Sequence, residues 1–364
     1  MVFEDEESLS PTLVDVGVPA PIAQASDLAT RELLDFLNAE IGRWGRVDHE
    51  FVQPIEELRR FIISGGKRLR PAFCYWTAVG LGACPNDPQL LRALMGLEFL
   101  HSFALIHDDL MDASDTRRGE PSLHRVFERA HVAGELRGSR ERYGISGAIL
   151  VGDLAFAYAD MMFADTNRRT RLIFQELKVE VNLGQYLDFV GGYRDVDIPR
   201  AERIALFKSG KYTVERPMHI GAAIAGRYSL AGEAISDVAV PLGMAFQLRD
   251  DVLGAFGEAE VTKKPVGDDL REGKPTLLVG LTRSLLARDE REVFDQLFGR
   301  EDVSALEIAT MQELIRSSGA LGALERKIDQ LFLASMEALE RLDLDPAARA
   351  ALGEMAGFVV DRRC

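Results

Sequence analysis

Two clusters of aspartates invite a metal. His107-Asp108-Asp109-Leu110-Met111-Asp112 closes an apolar run that begins near residue 90. On a helix Asp108 and Asp112 lie one turn apart on one face, with Asp109 about 100° round. Carboxylates this close repel one another unless a cation sits among them. Magnesium, a hard ion, takes one or two carboxylates together with substrate phosphates. Phe246-Gln247-Leu248-Arg249-Asp250-Asp251 closes a second apolar run. Two helices that end in paired aspartates can face each other across a cavity and hold several metals around one diphosphate. Gln247 lies one turn before Asp251, placed to orient a phosphate or a carboxylate. Either cluster alone could be a solvated acidic helix end; the presence of two argues against that.

A diphosphate also needs fixed cations. Gly65-Gly66-Lys67-Arg68-Leu69-Arg70-Pro71 has two glycines, which let backbone approach a ligand, and three cations in four residues. It is not a P-loop, and its plain alternative is a solvated charged face. Arg117-Arg118-Gly119 follows Asp112 by five residues. Adjacent arginines either pair with the acids or reach phosphate groups on two sides of a site. His101 stands two turns before Asp108 on the same face. A lone histidine in an apolar helix is usually core, but this position also suits contact with phosphate.

Helices must position these groups. Apolar stretches at 72–83, 90–107, 146–163, 172–190, 217–230 and 236–255 are each long enough for a helix. Alanine, leucine and methionine prevail in them over β-branched residues. From Leu33 to Ile62 apolar residues recur at spacings of three and four. Short strands bounded by Asn-Gly or Asp-Gly turns are missing. The expectation is an all-α bundle of about ten helices or more. Residues 1 to about 27, with Pro11, Pro19 and Pro21, read as a loose leader, and 28–364 as a single domain. The stretch 131–145 reads as a surface loop. So does 257–276, which follows an apolar helix and could close over a site.

Composition narrows the function. Apolar residues make up 47% of the 364, ample for a large core, and the net charge of −15 argues against a nucleic-acid partner. Cys74, Cys84 and Cys364 form no CxxC pair and have no histidines at zinc spacing. They read as reduced thiols of a cytoplasmic protein. The acidic N-terminus lacks the form of a signal peptide, and no charge-free apolar run suggests a membrane span.

Taken together, GGKRLRP, HSFALIHDDLMDASDTRRGEPSLH, GAILVGDLAFAYA, FKSGKYTVERP and FQLRDDVLGAFG occur in the order and approximate spacing of one family. The chain resembles the trans-isoprenyl diphosphate synthases (polyprenyl synthetases) from about Leu33 to the C-terminus, and most closely the short-chain geranylgeranyl diphosphate synthases. The resemblance implies an all-helical isoprenoid-synthase-type bundle around a central cavity, a homodimer, and three magnesium ions per active site. It assigns Asp108, Asp109 and Asp112 to the first metal motif and Asp250 and Asp251 to the second. It gives isopentenyl diphosphate to Lys67, Arg70, His101 and Arg118. The allylic diphosphate goes to Arg117, Lys208, Ser209, Gln247, Lys264 and Lys274. Ser209 replaces the family's usual threonine and keeps its hydroxyl. Gly254 stands where many members carry a third aspartate, which implies one metal contact fewer.

The implied reaction ionises an allylic diphosphate, couples the cation to isopentenyl diphosphate and eliminates a proton. Chain length would be set by what blocks the cavity below the first motif. Ala104 and Phe103 are the fourth and fifth residues before Asp108, and five residues of helix rise about 7.5 Å. A small residue, a large one and an uninterrupted DDLMD resemble enzymes with twenty-carbon products. Farnesyl diphosphate synthase is the alternative. A class I terpene cyclase and a non-catalytic partner subunit are the rivals from other classes; the isopentenyl-side residues oppose the first and the two intact aspartate pairs the second.

Overall fold

The computed structural model describes residues 17–193, 197–257, 266–300 and 302–361. Its first helix, α1 (Ala20–Gly45), begins inside the expected leader. Pro21 reads as a breaker in the sequence, but proline suits the first turn of a helix, where no backbone N–H is needed. Ile22, Ala25, Ala29, Leu33 and Leu37 are fully buried, so the core-facing stripe starts at Ile22. The Trp76 indole N–H holds this end by donating to the Pro21 carbonyl at 2.9 Å.

After α2 (Val52–Ile63) and α3 (Leu69–Gly80) comes the central helix, α4 (Pro88–Met111). Asp87 caps it by accepting from the Gln89 N–H at 2.7 Å, with Pro88 in the first turn. Residues 93–100 are buried on every side, so α4 shows no amphipathic stripe. It packs against α3 and against α6 (Arg140–Ala164), where Gly96 lets the Phe163 ring approach. By length and composition α4 and α6 could each cross a bilayer, a test that the core helix of a bundle also passes; the apolar window of α4 is 61% buried here.

A small antiparallel hairpin follows α4: β1 (Thr116–Arg117) and β2 (Glu120–Pro121). The sequence reading missed it, because its strands are two residues long and its turn is Arg118-Gly119. Both turn residues have positive φ, 55° and 83°, as a type I′ turn requires. Helix α5 (Leu123–Ala133) then runs into the stretch expected to be a loop, and Ser139 caps α6 by accepting from Arg142 N–H. The loop shrinks to 134–139. Gly144, one of the glycines that suggested it, serves close packing instead, as does Gly147 one turn on. A Cβ on either would lie about 2.5 Å from α5, against His124 O and the Phe127 ring.

Helix α7 (Arg168–Gly191) leads to α8 (Ile198–Ile204), a π-helical turn sequence over Ala205–Glu215, and α9 (Arg216–Ile224). The long α10 (Tyr228–Phe256) packs on the π-helical segment at a glycine crossing: a Cβ on Gly243 would stand 2.5 Å from Gly210 O. The short α11 (Asp268–Arg271) precedes α12 (Leu277–Leu285), α13 (Arg288–Leu297), α14 (Ala305–Ser317), α15 (Ala320–Arg341) and α16 (Pro346–Val360). The architecture is all-α, as expected, with α15 laid along α10 on the outer side of the bundle.

Candidate active site

Asp108 and Asp109 occupy the last turn of α4 and Asp112 caps its C-terminus. Negative charge there opposes the helix macrodipole. Cations from elsewhere in the fold offset it. Arg117, on β1, places Nε 2.7 Å and Nη2 2.6 Å from Asp109 Oδ1, and Nη2 3.8 Å from Asp108 Oδ2. The hairpin turn sends Arg118 the other way, to donate to the Gly65 carbonyl. The two adjacent arginines thus face two sides, one pairing with the acids and one reaching the glycine loop. Asp109 is only 1% exposed, turned inward onto Arg117, whereas Asp112 lines an open cavity.

The π-helical segment carries Lys208 and Ser209; such widened turns recur at functional sites. Lys208 Nζ lies 2.5 Å from Asp188 Oδ2 and 3.5 Å from Asp108 Oδ1. Gln185 Nε2 donates to Asp108 Oδ1 at 2.9 Å. Sequence reasoning overlooked Gln185 and Asp188. The available signal was a polar pair three residues apart, hence on one face, near the end of an apolar helix.

Opposite stand Gln247, Asp250 and Asp251 of α10, with Gln247 Nε2 donating to Asp251 Oδ1 at 2.7 Å. They line a cavity of about 430 Å³ together with Lys67, Lys208, Ser209, Asp269 and Lys274. A neighbouring cavity of about 760 Å³ takes in Asp112 and Gln185, and Asp188, Lys274 and Pro275 border both. The two aspartate motifs therefore open on adjoining cavities with Asp188 and Lys274 between them. Lys264 lies outside the described residues.

Charge is unevenly settled in this cleft. Burial would raise Asp108, but Lys208 and Arg117 outweigh it and hold the carboxyl below its usual range. Asp112 is raised, by burial and by Asp108 beside it. Asp251 is pushed up to about 8, chiefly by burial and further by Asp269, Asp250 and Asp188, against the Gln247 hydrogen bond. Lys208 and Lys274 resist burial and stay firmly charged, held up by Asp188 and Asp108 in one case and by Asp269 and Glu272 in the other.

A second cationic group lies toward α3. Arg70 stacks on the Tyr212 ring at 4.1 Å and donates to Thr213 Oγ1 at 3.0 Å, and the Tyr212 hydroxyl lies 3.3 Å from His101 Nδ1. Burial holds His101 well below the usual histidine range, and the guanidiniums of Arg70, Arg118, Arg117 and Arg68 push the same way. Such a convergence of positive charge suits an anion. Lys67 sits over the Phe358 ring at 4.7 Å and lines the smaller cavity.

Arg68, the third cation of the glycine-rich motif, does not join them. It turns inward, pairing with the buried Glu98 and donating to Thr30 Oγ1 at 2.8 Å and to the Ile62 carbonyl at 2.9 Å. Its φ of 45° accompanies the inward turn. Phe103 packs on His107 at 4.7 Å and on Phe156 at 4.8 Å between ring centroids, and borders neither cavity; nor does Ala104.

The residues fit a divalent cation. Asp112 and Asp251 are raised in part by neighbouring carboxylates, and a bound cation would relieve that repulsion. Among the described residues no three acidic, histidine or cysteine side chains form a ready cage. That agrees with magnesium, which completes its shell from water and substrate phosphate.

Comparison with known proteins agrees with this geometry. The family model for polyprenyl synthetase matches residues 52–315. The geranylfarnesyl diphosphate synthase of Aeropyrum pernix is 32% identical over 83% of this chain and 92% of its own. The geranylgeranyl diphosphate synthase of Sulfolobus acidocaldarius is 31% identical over 70% of this chain and 74% of its own. A solved geranylgeranyl pyrophosphate synthase from Corynebacterium glutamicum, complexed with isoprenyl diphosphate and magnesium, superposes with a TM-score of 0.89 at 33% identity, covering 94% of this chain and 99% of that one. The matched model and the two aspartate motifs that open on adjoining cavities make this chain a member of the polyprenyl synthetase family.

Proposed function

We propose that this prenyltransferase condenses isopentenyl diphosphate with dimethylallyl, geranyl and farnesyl diphosphates, and that geranylgeranyl diphosphate is its main product. The observation that carries the reaction is the pairing of an acidic cleft, edged by Lys208 and Lys274, with a separate group in which the cations Arg70 and Arg118 stand about His101. One suits a metal-bound allylic diphosphate and the other the isopentenyl diphosphate.

Asp108 and Asp112 on one wall and Asp250 and Asp251 on the other would hold magnesium, three ions per site. When bound, magnesium neutralises charge that grows on the departing diphosphate. Lys208, Arg117 and Lys274 supply fixed positive charge to the same group. Ser209 and Gln247 border the cavity and orient it. Apolar wall shields the allylic cation from water until the isopentenyl double bond attacks. A proton then leaves the new chain. Burial pushes the Tyr212 hydroxyl up to about 12, Lys208 stays charged and His101 is held neutral as a weak base. The departing diphosphate is the remaining acceptor.

Product length is read from Ala104 and Phe103. The small Ala104 would leave room beneath Asp108 for a growing chain, and the Phe103 ring, which packs on Phe156 and borders neither cavity, would meet that chain only once it reached past Ala104. Lys178 backs Phe156 at 4.8 Å and pairs with Asp160 at 2.5 Å. Incubation with magnesium, isopentenyl diphosphate and each allylic primer, followed by separation of the dephosphorylated alcohols, should give geranylgeraniol as the dominant peak. Farnesol would favour the fifteen-carbon alternative, and no elongation from any primer would overturn the reaction itself. Phe103→Ala should shift the distribution to longer alcohols; an unchanged distribution would remove Phe103 as the floor.

The homodimer reading is supported by an apolar face. Leu172, Val179, Leu183 and Tyr186 lie along one side of α7, 45–63% exposed, beside Ile145, Ile149 and Leu150 of α6. A patch of this kind marks an association surface, and a second copy covers it in a closed two-fold pair. Sedimentation should report twice the chain mass, and Leu183→Arg should shift it to the monomer. A native chain that sediments as a monomer would sink the dimer. Both described cysteines are free thiols, which suits the reducing cytoplasm.

A further inference from the structure

In the first motif Asp112 stands one turn after Asp108. Gly254 has the same relation to Asp250, but brings no carboxylate. The space beside it is nevertheless filled. A Cβ on Gly254 would lie 1.8 Å from Asp269 Oδ2 and 2.3 Å from its Cγ. The Asp269 carboxylate therefore occupies the place into which a side chain at position 254 would project, and any residue but glycine there would displace it.

Asp269 is held firmly in that place. Leu270, its neighbour on α11, is 1% exposed, and the Leu270 carbonyl accepts from Gly299 N–H at 3.0 Å. The Asp269 backbone carbonyl accepts from Lys274 N–H at 3.0 Å, and its carboxylate pairs with Lys274 Nζ at the same distance. Asp269 also borders the cavity lined by Asp250, Asp251 and Gln247. It arrives from a segment fifteen residues further along the chain, so the spacing of the aspartate motif gives no sign of it.

We propose that Asp269 is the third carboxylate of the second metal motif, supplied across the cleft in place of the one that Gly254 lacks. It would offer an oxygen to an ion held by Asp250 and Asp251, which would leave Lys274, now its partner at 3.0 Å, to the incoming diphosphate. The motif keeps its full complement of three carboxylates, and the contact that the sequence implied to be lost is moved to another segment. This rests on the reading of Asp250 and Asp251 as metal ligands.

The test measures manganese affinity by calorimetry and by the manganese resonance signal, with inorganic pyrophosphate present, in four variants of the full chain. Asp269→Asn should weaken binding of the second-motif ion roughly tenfold to a hundredfold, the scale for groups that tune a metal site. Asp250→Asn, the control for the underlying reading, should weaken it at least as much. Asp269→Gly alone should behave like Asp269→Asn. Adding Gly254→Asp to Asp269→Gly returns a carboxylate to α10 with room to stand, and should restore affinity.

Loss in Asp250→Asn with none in Asp269→Asn overturns the proposal and leaves the second motif intact as a metal site. Loss in neither overturns both. Loss in Asp269→Asn without recovery in the Gly254→Asp, Asp269→Gly double variant also overturns it, because Asp269 would then act only by holding Lys274.

Discussion

Asp108→Asn should reduce turnover of isopentenyl diphosphate by on the order of 10³-fold, the upper scale for removing one group that stabilises a charged transition state. Asp108 is where the cleft's interactions meet: Gln185 donates to it at 2.9 Å, Lys208 Nζ lies at 3.5 Å and Arg117 Nη2 at 3.8 Å. Lys208 and Arg117 hold it below the usual carboxylate range despite burial, so its charge is in place for a cation. The asparagine preserves shape and the Gln185 contact but removes the charge. Arg70 and His101, the proposed isopentenyl side, are left untouched. Steady-state assays should therefore show a fall in kcat with little change in KM for isopentenyl diphosphate. A kcat within tenfold of the parent would remove Asp108 from the catalytic machinery.

Arg68→Met should destabilise the fold by about 3–5 kcal/mol, the cost of breaking a buried ion pair and leaving one charge alone. The Arg68 and Glu98 side chains are 5% and 6% exposed, and no water can take over the lost partner. The same arginine ties α1, through Thr30, and the end of α2, through Ile62, to the central helix. Loss of that tie also frees the glycine loop that carries Lys67 and meets Arg118. The midpoint in urea should fall, and KM for isopentenyl diphosphate should rise. Adding Glu98→Leu should recover most of the stability, because a buried pair replaced by apolar groups is often neutral. An unchanged midpoint in Arg68→Met would show that the pair contributes little.

Much of the site was legible in the chain. Asp108 and Asp112 share a face by helical spacing, the paired arginines do reach two sides, and the apolar stretches fall in helices, with 217–230 divided between α9 and α10 and side-chain caps at Asp87, Ser139 and Asn167. These features depend on residues near one another in sequence. Periodicity and motif order report such short-range facts well. The helix that starts at Ala20, inside the expected leader, shows the limit of local rules, because Pro21 is a breaker inside a helix but a favoured residue at its start.

What the sequence alone determined is the helical class, the position of both aspartate motifs along their helices, and the family. Tertiary structure decided which way each charged side chain turns. Arg68 looked like a ligand of phosphate, yet Glu98, thirty residues on, draws it into the core. The resemblance puts Asp109 with Asp108 in the first metal motif, yet Arg117 of the hairpin holds it inward. Gly254 looked like a missing carboxylate, yet Asp269 fills its place. In each case the deciding partner is brought close only by folding. A buried charge settles on whichever opposite charge or hydrogen-bond partner lies within reach, because leaving it alone costs more than turning it. That choice is made across the fold, and the order of residues along the chain does not record it.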